Sequence, residues 1–511
     1  MMIKKEFQYL IWAICATVWA TVCFILPDYI DNPISDLNTF VTIGAYLMAL
    51  GAASFWVLYL VGLNRFVVYC FLPVFGIGGA VVSYYRVAFH ATITPMIIDA
   101  TLHTNTGTIA GVISWQLIGW IGLNILIVIG LILWRKKLYD LPNRWVHALV
   151  VLGLLLIYYN ANSRLHISIN QRYPYNVVHC FIEYCLQQQE LHDERIALAY
   201  EETNIPDSID IIFVLGEAAR ADHIQLNGYS RETTPLLSNR KNVVSLPHIY
   251  SEHTYTSTSV PLILSPSDSL HPEFCGTHSS FIRIFSQCGF STAWISNQDN
   301  GRTYLSFIHE CDTIIFPNPS KSVFVFDPWY DEQLLPPLDT LLLNYYARNL
   351  YVLHTIGSHW YYNLHVPPTQ QYFNPTTENR IITENAAEQI INSYDNTIRY
   401  MDMIVDSIIQ RMENRCALVI YLSDHGESLG ENGCYLHAAE TESLHLPACI
   451  IWYSDAYAKL FPAKIQALQR NKDKRYRTDF LYHSILSAAG IKSEGSEGLD
   501  VFSVDSTYVN Q

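Results

Sequence analysis

Five long apolar runs crowd into the first 160 residues, at roughly 8–27, 40–62, 66–84, 116–134 and 145–160. A helix of about 20 apolar residues crosses the hydrocarbon core of a bilayer, where only a helix or a closed barrel satisfies its own backbone. A five-helix membrane domain over 1–160 is therefore expected, with a globular domain after it. The fifth run is short for a span, and Pro73 with several glycines blurs the edges of the third.

Charge placement orients these runs. Lys4 and Lys5 precede the first, Arg65 separates the second from the third, and Arg135, Lys136, Lys137 and Arg144 separate the fourth from the fifth. The opposite loops carry Asp28, Asp31 and Asp36 or are poor in Lys and Arg. Basic loops stay cytoplasmic, so the N-terminus is read as cytoplasmic and everything after residue 160 as external. A cleaved signal peptide explains the first run less well, because four further runs follow and no small-residue cleavage site stands out. The long connector 84–115 contains Thr104-Asn105-Thr106 and is read as interfacial helices that help shape a lipid site. Residues 161–207 read as a bridge, with Val177, Phe181, Tyr184 and Leu191 at roughly helical spacing.

The chain holds 31 Lys and Arg against 46 Asp and Glu, a net charge of −15. Eight of the basic and six of the acidic residues lie in 1–160, which leaves 23 against 40 in the remainder. So acidic a domain argues against nucleic-acid binding, and an anionic substrate must be met by a local metal or cation. Of the 11 cysteines, Cys15, Cys23 and Cys70 lie in apolar runs. The other eight are irregularly spaced, without a CxxC zinc pattern. Pairings such as Cys275 with Cys288 or Cys311, and an all-reduced set, are both compatible with that spacing.

From residue 208 to 511 strand and helix patterns alternate. Strands are expected at 209–215, 291–296, 349–356, 417–422 and 448–453, and helices at 279–287, 386–412 and 477–489. This is an α/β domain with a largely parallel sheet flanked by helices. Two of its apolar strands run directly into metal-ligand residues. One ends Phe213-Val214-Leu215-Gly216-Glu217, the other Tyr421-Leu422-Ser423-Asp424-His425-Gly426. Ligands bind beyond the carboxyl ends of parallel strands, so these residues point to a metal site there. Two carboxylates and an imidazole suit Zn2+, and Mn2+ or Mg2+ less well.

Between the two lies a hydroxyl-rich turn, Thr254-Tyr255-Thr256-Ser257-Thr258-Ser259-Val260-Pro261. Thr256 is the best nucleophile candidate in it, although spacing does not separate it from Thr254, Ser257, Thr258 or Ser259. A hydroxyl needs activation, which metal coordination supplies. A helix opening at Val260-Pro261 would add backbone N–H groups for a phosphate. The plainer reading is an N-cap hydroxyl. His354 and His359 end one strand, and His437 follows His425 by 12 residues. Such histidines hold a phosphate oxygen or protonate a leaving group. His223, His248, His271 and His445 read as structural.

In this order, behind five apolar runs, the motifs resemble the phosphoethanolamine transferases of Gram-negative envelopes, the family of lipid A-modifying and transferable colistin-resistance enzymes. The stretches that carry the resemblance are 216–223, 226–229 with Arg231-Glu232-Thr233, and 256–261. Downstream of these come 354–359, Tyr394-Asp395-Asn396-Thr397-Ile398, and 423–433 with Tyr435-Leu436-His437. The resemblance implies an alkaline-phosphatase-like fold with one tightly bound zinc and room for a second. Glu217, Thr256, Asp424 and His425 match the family's main zinc site, and Thr256 its phosphoethanolamine-carrying threonine. His359 and His437 match histidines around the phosphoethanolamine or a second zinc, and Thr104 and Asn105 a donor-handling loop.

The implied chemistry is ping-pong. Phosphatidylethanolamine gives its phosphoethanolamine to Thr256 and leaves diacylglycerol, and lipid A or another lipopolysaccharide glycan then takes the group. A monomer in the bacterial inner membrane is implied, with a periplasmic catalytic domain; polymyxin resistance follows only where lipid A is the acceptor.

Three departures stand out. Glu252 and Leu262 occupy the places of a disulfide that often flanks the nucleophile. Thr108 stands where the periplasmic loop usually carries a glutamate. The segment after His437 is short and leads through His445-Leu446-Pro447 to the next strand. A sulfatase would need a C/S-x-P-x-R-type motif, which is absent near Thr256. A glycerol-phosphate polymerase shares five spans and a threonine but fits the Asn-Gly-Tyr and Glu-Asn-Gly stretches less well. A membrane scaffold would leave the ligand set unexplained and hold no zinc.

Overall fold

The computed structural model describes residues 2–29, 37–89, 93–95, 98, 114–165, 175–190, 195–298, 302–319, 321, 328–343, 346–379, 382, 385–436 and 441–503. The chain forms two compact units, Met1–Leu186 with Ser320–Phe326 and Gln187–Pro319 with Asp327–Gln511. The division falls inside the segment 161–207 read as a bridge.

The first unit is helical: α1 (Met2–Ala20), α2 (Leu37–Gly62), α3 (Arg65–Phe89), α4 (Trp115–Lys137) and α5 (Arg144–Leu165), with α6 (Tyr175–Glu190) after them. Among the described residues four stretches are long and apolar enough to cross a membrane: Glu6–Ile25, Ile43–Gly62, Arg65–Ala88 and Trp115–Lys137. The apolar part of α5, Arg144–Tyr158, is shorter. It gives about 22 Å of helix against a hydrocarbon core of about 30 Å. Large apolar side chains such as Phe66, Val74, Leu126 and Leu149 face outward, as a bilayer-facing surface requires. Inside, polar groups are paired: Trp19 Nε1 donates to Asn124 Oδ1 at 3.0 Å, and Trp12 Nε1 to the Leu131 carbonyl at 2.9 Å. Buried Arg135 donates to the Gly62 carbonyl at 2.7 Å and to Asp140 at 2.9 Å, which offsets its desolvation. Most of the connector 84–115 past Phe89, with Thr104, Asn105 and Thr108, lies outside the described residues.

The second unit is built on a seven-stranded sheet. Its strands are β1 (Ile209–Gly216), β2 (Val243–Ser245), β3 (Ser291–Ser296), β4 (Thr313–Ile315), β5 (Arg348–His354), β6 (Ala417–Ser423) and β7 (Cys449–Tyr453). They lie in the order β2-β7-β6-β1-β5-β3-β4. From β6 to β4 all neighbours are parallel; β7 runs antiparallel to β6 and β2. Every residue of β1 is buried, as expected for a strand covered on both faces. Side chains alternate across the pleat. Ile209, Ile211, Phe213 and Leu215 pack with α8 (Phe281–Gln287) and α10 (Phe480–Ala488). Ile212 and Val214 pack with α9 (Ala387–Met412). Helix α9 qualifies because Ile390, Tyr394, Ile398, Met401, Val405, Ile408 and Met412 recur every three or four residues and are all buried. β2 and β4, three residues each, are too short to leave a periodic signal in the sequence.

Candidate active site

Register brings the site together. Gly216 of β1 lies opposite Ser423 of β6, Leu215 opposite His354 of β5, and Ser296 of β3 opposite the same His354. The residues immediately beyond these positions share one edge of the sheet: Glu217, Asp424-His425, the loop 355–359, and Asn297-Gln298.

Glu217, Asp424 and His425 are at most 1% exposed. One donor atom from each lies within 4.8 Å of the others. Glu217 Oε2 accepts hydrogen bonds from Thr256 Oγ1 at 2.9 Å and from Gln298 Nε2 at 2.7 Å. Asp424 Oδ1 accepts from the Ala218 and His425 amides at 3.2 and 2.8 Å. His425 Nδ1 is 2.7 Å from the Gly426 carbonyl, which can only accept, so Nδ1 carries the proton of the neutral ring. That tautomer turns the Nε2 lone pair toward Glu217 Oε1 at 3.5 Å and Asp424 Oδ2 at 3.4 Å. A lone pair facing two buried carboxylate oxygens calls for a cation or a proton between them. Burial acts to lower the His425 pKa, but the Asp424 and Glu217 charges prevail and raise it. Burial, then the Glu217 charge, pushes the Asp424 carboxyl up, with the Thr256 hydroxyl among the groups opposing. Glu217 Oε1 accepts no hydrogen bond among the described residues. This donor set fits a divalent metal of zinc type. Gly426 has no room for a side chain, because an added Cβ would overlap the Ser443 carbonyl.

The hydroxyl turn resolves into different jobs. Thr258 Oγ1 donates to the Tyr255 carbonyl at 3.0 Å and Ser259 Oγ to the His253 carbonyl at 3.1 Å. Of the turn's hydroxyls, Thr256 is the one bonded to a strand-end carboxylate, and it is partly exposed. The expected helix start needs correction: α7 (Thr256–Leu264) opens at Thr256 itself, with Val260 and Pro261 buried inside it. Its N-cap is Tyr255, which makes no side-chain cap, so Thr256 does not serve as one.

The strand-end histidines divide in the same way. His354 is a core residue, packed edge-on to Trp294 and Tyr304 and pushed down to about 3 by burial. His359 donates Nδ1–H to the Trp360 carbonyl at 2.6 Å. Burial lowers its pKa, the bond to Trp360 opposes this, and the His425 charge lowers it further. His437, Thr104 and Asn105 lie outside the described residues.

Sequence reasoning missed Gln298; its signal was an amide pair, Asn297-Gln298, directly after a buried strand. His223, read as structural, is buried and donates its ring N–H to Asp395 at 2.7 Å. Asp395 also accepts from Tyr229 at 3.0 Å and pairs with Arg231 at 2.5 Å. Tyr394 donates to the Ala218 carbonyl at 2.6 Å and accepts from the Arg220 amide at 2.8 Å. The stretch 394–397 thus holds the loop after Glu217 against α9. At the two positions that depart from the family, Glu252 forms an ion pair with Arg477, and Leu262 is buried. All eleven cysteines are free thiols, so the pairings considered for Cys275, Cys288 and Cys311 are not made.

Residues 209–491 match the model of the family described as Sulfatase, and residues 49–168 that of Phosphoethanolamine transferase EptA/EptB. The chain belongs to the sulfatase family. It is 32% identical to phosphoethanolamine transferase EptA of Escherichia coli O157:H7, over 57% of this chain and 54% of that one. The match therefore spans about half the length of that relative. Against the EptA of Salmonella typhimurium it is 26% identical over 96% of this chain and 95% of the other. Among solved structures, the soluble domain of lipooligosaccharide phosphoethanolamine transferase A from Neisseria meningitidis is 28% identical. It covers 60% of this chain and 97% of its own, with a TM-score of 0.53.

Proposed function

We propose that this protein transfers phosphoethanolamine from phosphatidylethanolamine to lipid A or another lipopolysaccharide glycan, through a covalent intermediate on Thr256. The observation that carries the reading is the bond from the Thr256 hydroxyl to Glu217, inside a buried set of two carboxylates and one imidazole. Glu217, Asp424, His425 and the Thr256 oxygen would hold zinc. When bound, zinc supplies a positive charge that lowers the hydroxyl's pKa and offsets the charge on the phosphoryl oxygens.

The chain's own groups account for the rest. In the first half, Thr256 Oγ1 attacks the phosphorus, a P–O bond forms, and the P–O bond to diacylglycerol breaks. Diacylglycerol leaves with a proton, and the hydroxyl proton of Thr256 departs along its bond to Glu217 Oε2. In the second half, an acceptor phosphate or hydroxyl oxygen displaces Thr256, which regains its proton. His359 suits this half. Its Nδ1–H is committed to Trp360, which leaves Nε2 to accept a proton from the incoming group or to hold the ethanolamine ammonium. His437, Thr104 and Asn105 are proposed by resemblance as further substrate contacts. A multi-pass inner-membrane protein with its N-terminus in the cytoplasm and its catalytic unit in the periplasm completes the reading. The domain limits 1–160, 161–207 and 208–511 and a monomeric state belong to it.

The test is mass spectrometry of lipid A and core oligosaccharide from cells that make the protein, the Thr256→Ala variant, or neither. A phosphoethanolamine increment only with the intact protein is expected. Its absence, with the protein shown to be present in the membrane, would reject these acceptors.

A further inference from the structure

Asp331 opens a short turn, Asp331–Leu334, and is 5% exposed. It forms no ion pair with a Lys, Arg or His among the described residues. Its Oδ1 accepts from the Ile356 amide at 2.8 Å and from Asn297 Nδ2 at 3.0 Å, and its Oδ2 from the Gly357 amide at 3.0 Å. Burial pushes this carboxyl up to about 6, with the Asn297 amide and the two backbone N–H groups opposing. A buried carboxylate without a cation is costly, and this one stands where two strand-end loops meet.

Each loop grips Glu217. After β5, Ser358 donates its amide to the Glu217 carbonyl at 3.0 Å. Gly357, at φ +50°, lies so close that a Cβ there would be 2.8 Å from the same carbonyl. After β3, Asn297 is fully buried and accepts from Trp329 Nε1 at 2.7 Å. The next residue, Gln298, donates to Glu217 Oε2, the oxygen that also holds the Thr256 hydroxyl.

We propose that Asp331 is a positioning residue for the Thr256–Glu217 pair: it fixes the loops after β3 and β5, and through them both the backbone and the carboxylate of Glu217. The activity arm of its test rests on the transferase reading; the metal arm does not.

The experiment compares Asp331→Asn with Asp402→Asn in the full-length protein in detergent. Asp402 is the control: it is equally buried and accepts from the Leu236 and Leu237 amides at 2.9 Å each, but contacts no site residue. Zinc affinity is read by competition with a chromophoric chelator, alongside kcat and KM for phosphatidylethanolamine and the thermal midpoint. Asp331→Asn is expected to weaken zinc binding about 10- to 100-fold, as loss of an outer-shell partner does. It is also expected to lower kcat at saturating zinc with KM little changed. Asp402→Asn is expected to move only the midpoint. Should Asp331→Asn fail to fold, Gln298→Leu cuts the carboxylate grip alone and is expected to lower kcat at an unchanged midpoint. If Asp331→Asn behaves like Asp402→Asn, or Gln298→Leu keeps full zinc affinity and kcat, the proposal is overturned. A wild-type protein that binds zinc but transfers nothing would reject the transferase reading and leave the zinc comparison to decide the role of Asp331.

Discussion

The two halves of the site are built on opposite plans. Glu217, Asp424 and His425 follow buried parallel strands and are closed off from solvent; backbone groups orient Asp424 and His425, and the Gln298 side chain holds Glu217. Thr256 sits on the first turn of a nine-residue helix, partly exposed, beside the exposed Tyr255 and Ser257. The charged half needs rigidity, because displacing a buried carboxylate from its partners is expensive. The hydroxyl half needs access, because in the proposed reaction two lipids reach the same oxygen in turn. Substitutions in the two halves should therefore fail differently.

The largest effect is expected from Thr256→Ala. Transfer should fall by on the order of 10^4-fold or more, as when a covalent nucleophile is removed, while metal content stays at the wild-type level. Comparable activity in that variant would move the nucleophile elsewhere in the turn. Glu217→Ala should instead lose metal and activity together. The drop in zinc affinity should exceed the roughly 100-fold typical of an outer-shell partner; unchanged zinc occupancy would remove Glu217 from the ligand set.

A buried carboxylate outside both halves sets the scale for charge burial alone. Burial pushes Asp402 up to about 6, against the Leu236 and Leu237 amides. Its folded pKa thus lies above the unfolded value of about 3.9, so the native state holds the proton more tightly. Its contribution to stability is full below the unfolded value and is lost as pH rises through the folded one. Relative to the wild type, Asp402→Asn should gain stability across that window, by up to roughly 3 kcal/mol. Unfolding midpoints of both proteins at several pH values would show it, and a constant gap would contradict the burial argument. The smallest effect is expected at Glu252, on the approach to Thr256. Its ion pair with Arg477 is about one-third exposed on both sides, and such pairs contribute roughly 0–1 kcal/mol. Glu252→Gln should leave transfer and the midpoint close to wild type; a large loss of transfer would show that the exposed half depends on this pair.

The sequence made the charged half legible, because an uninterrupted apolar run that ends in Glu217 or in Asp424-His425 is visible without any tertiary information. The long strands and α9 were legible for the same reason: their periods persist over many residues. The short β2 and β4 have no period to read. The separation of Thr256 from its neighbouring hydroxyls depends on which one faces Glu217, a contact across 39 positions of sequence. Gln298 and Asp331 were hidden because an amide after a strand and a carboxylate in a turn look like loop residues until the fold gathers them around the Glu217 loops. The start of α7 was misplaced because Val260-Pro261 imitates a helix opening, while the chain turns helical four residues earlier.

The most direct test of the central claim is peptide mapping by mass spectrometry of the purified, zinc-loaded protein after incubation with phosphatidylethanolamine and no acceptor. The account predicts a phosphoethanolamine adduct on Thr256, with one diacylglycerol released per adduct. Release of diacylglycerol with the adduct on another residue, or with none, would contradict it.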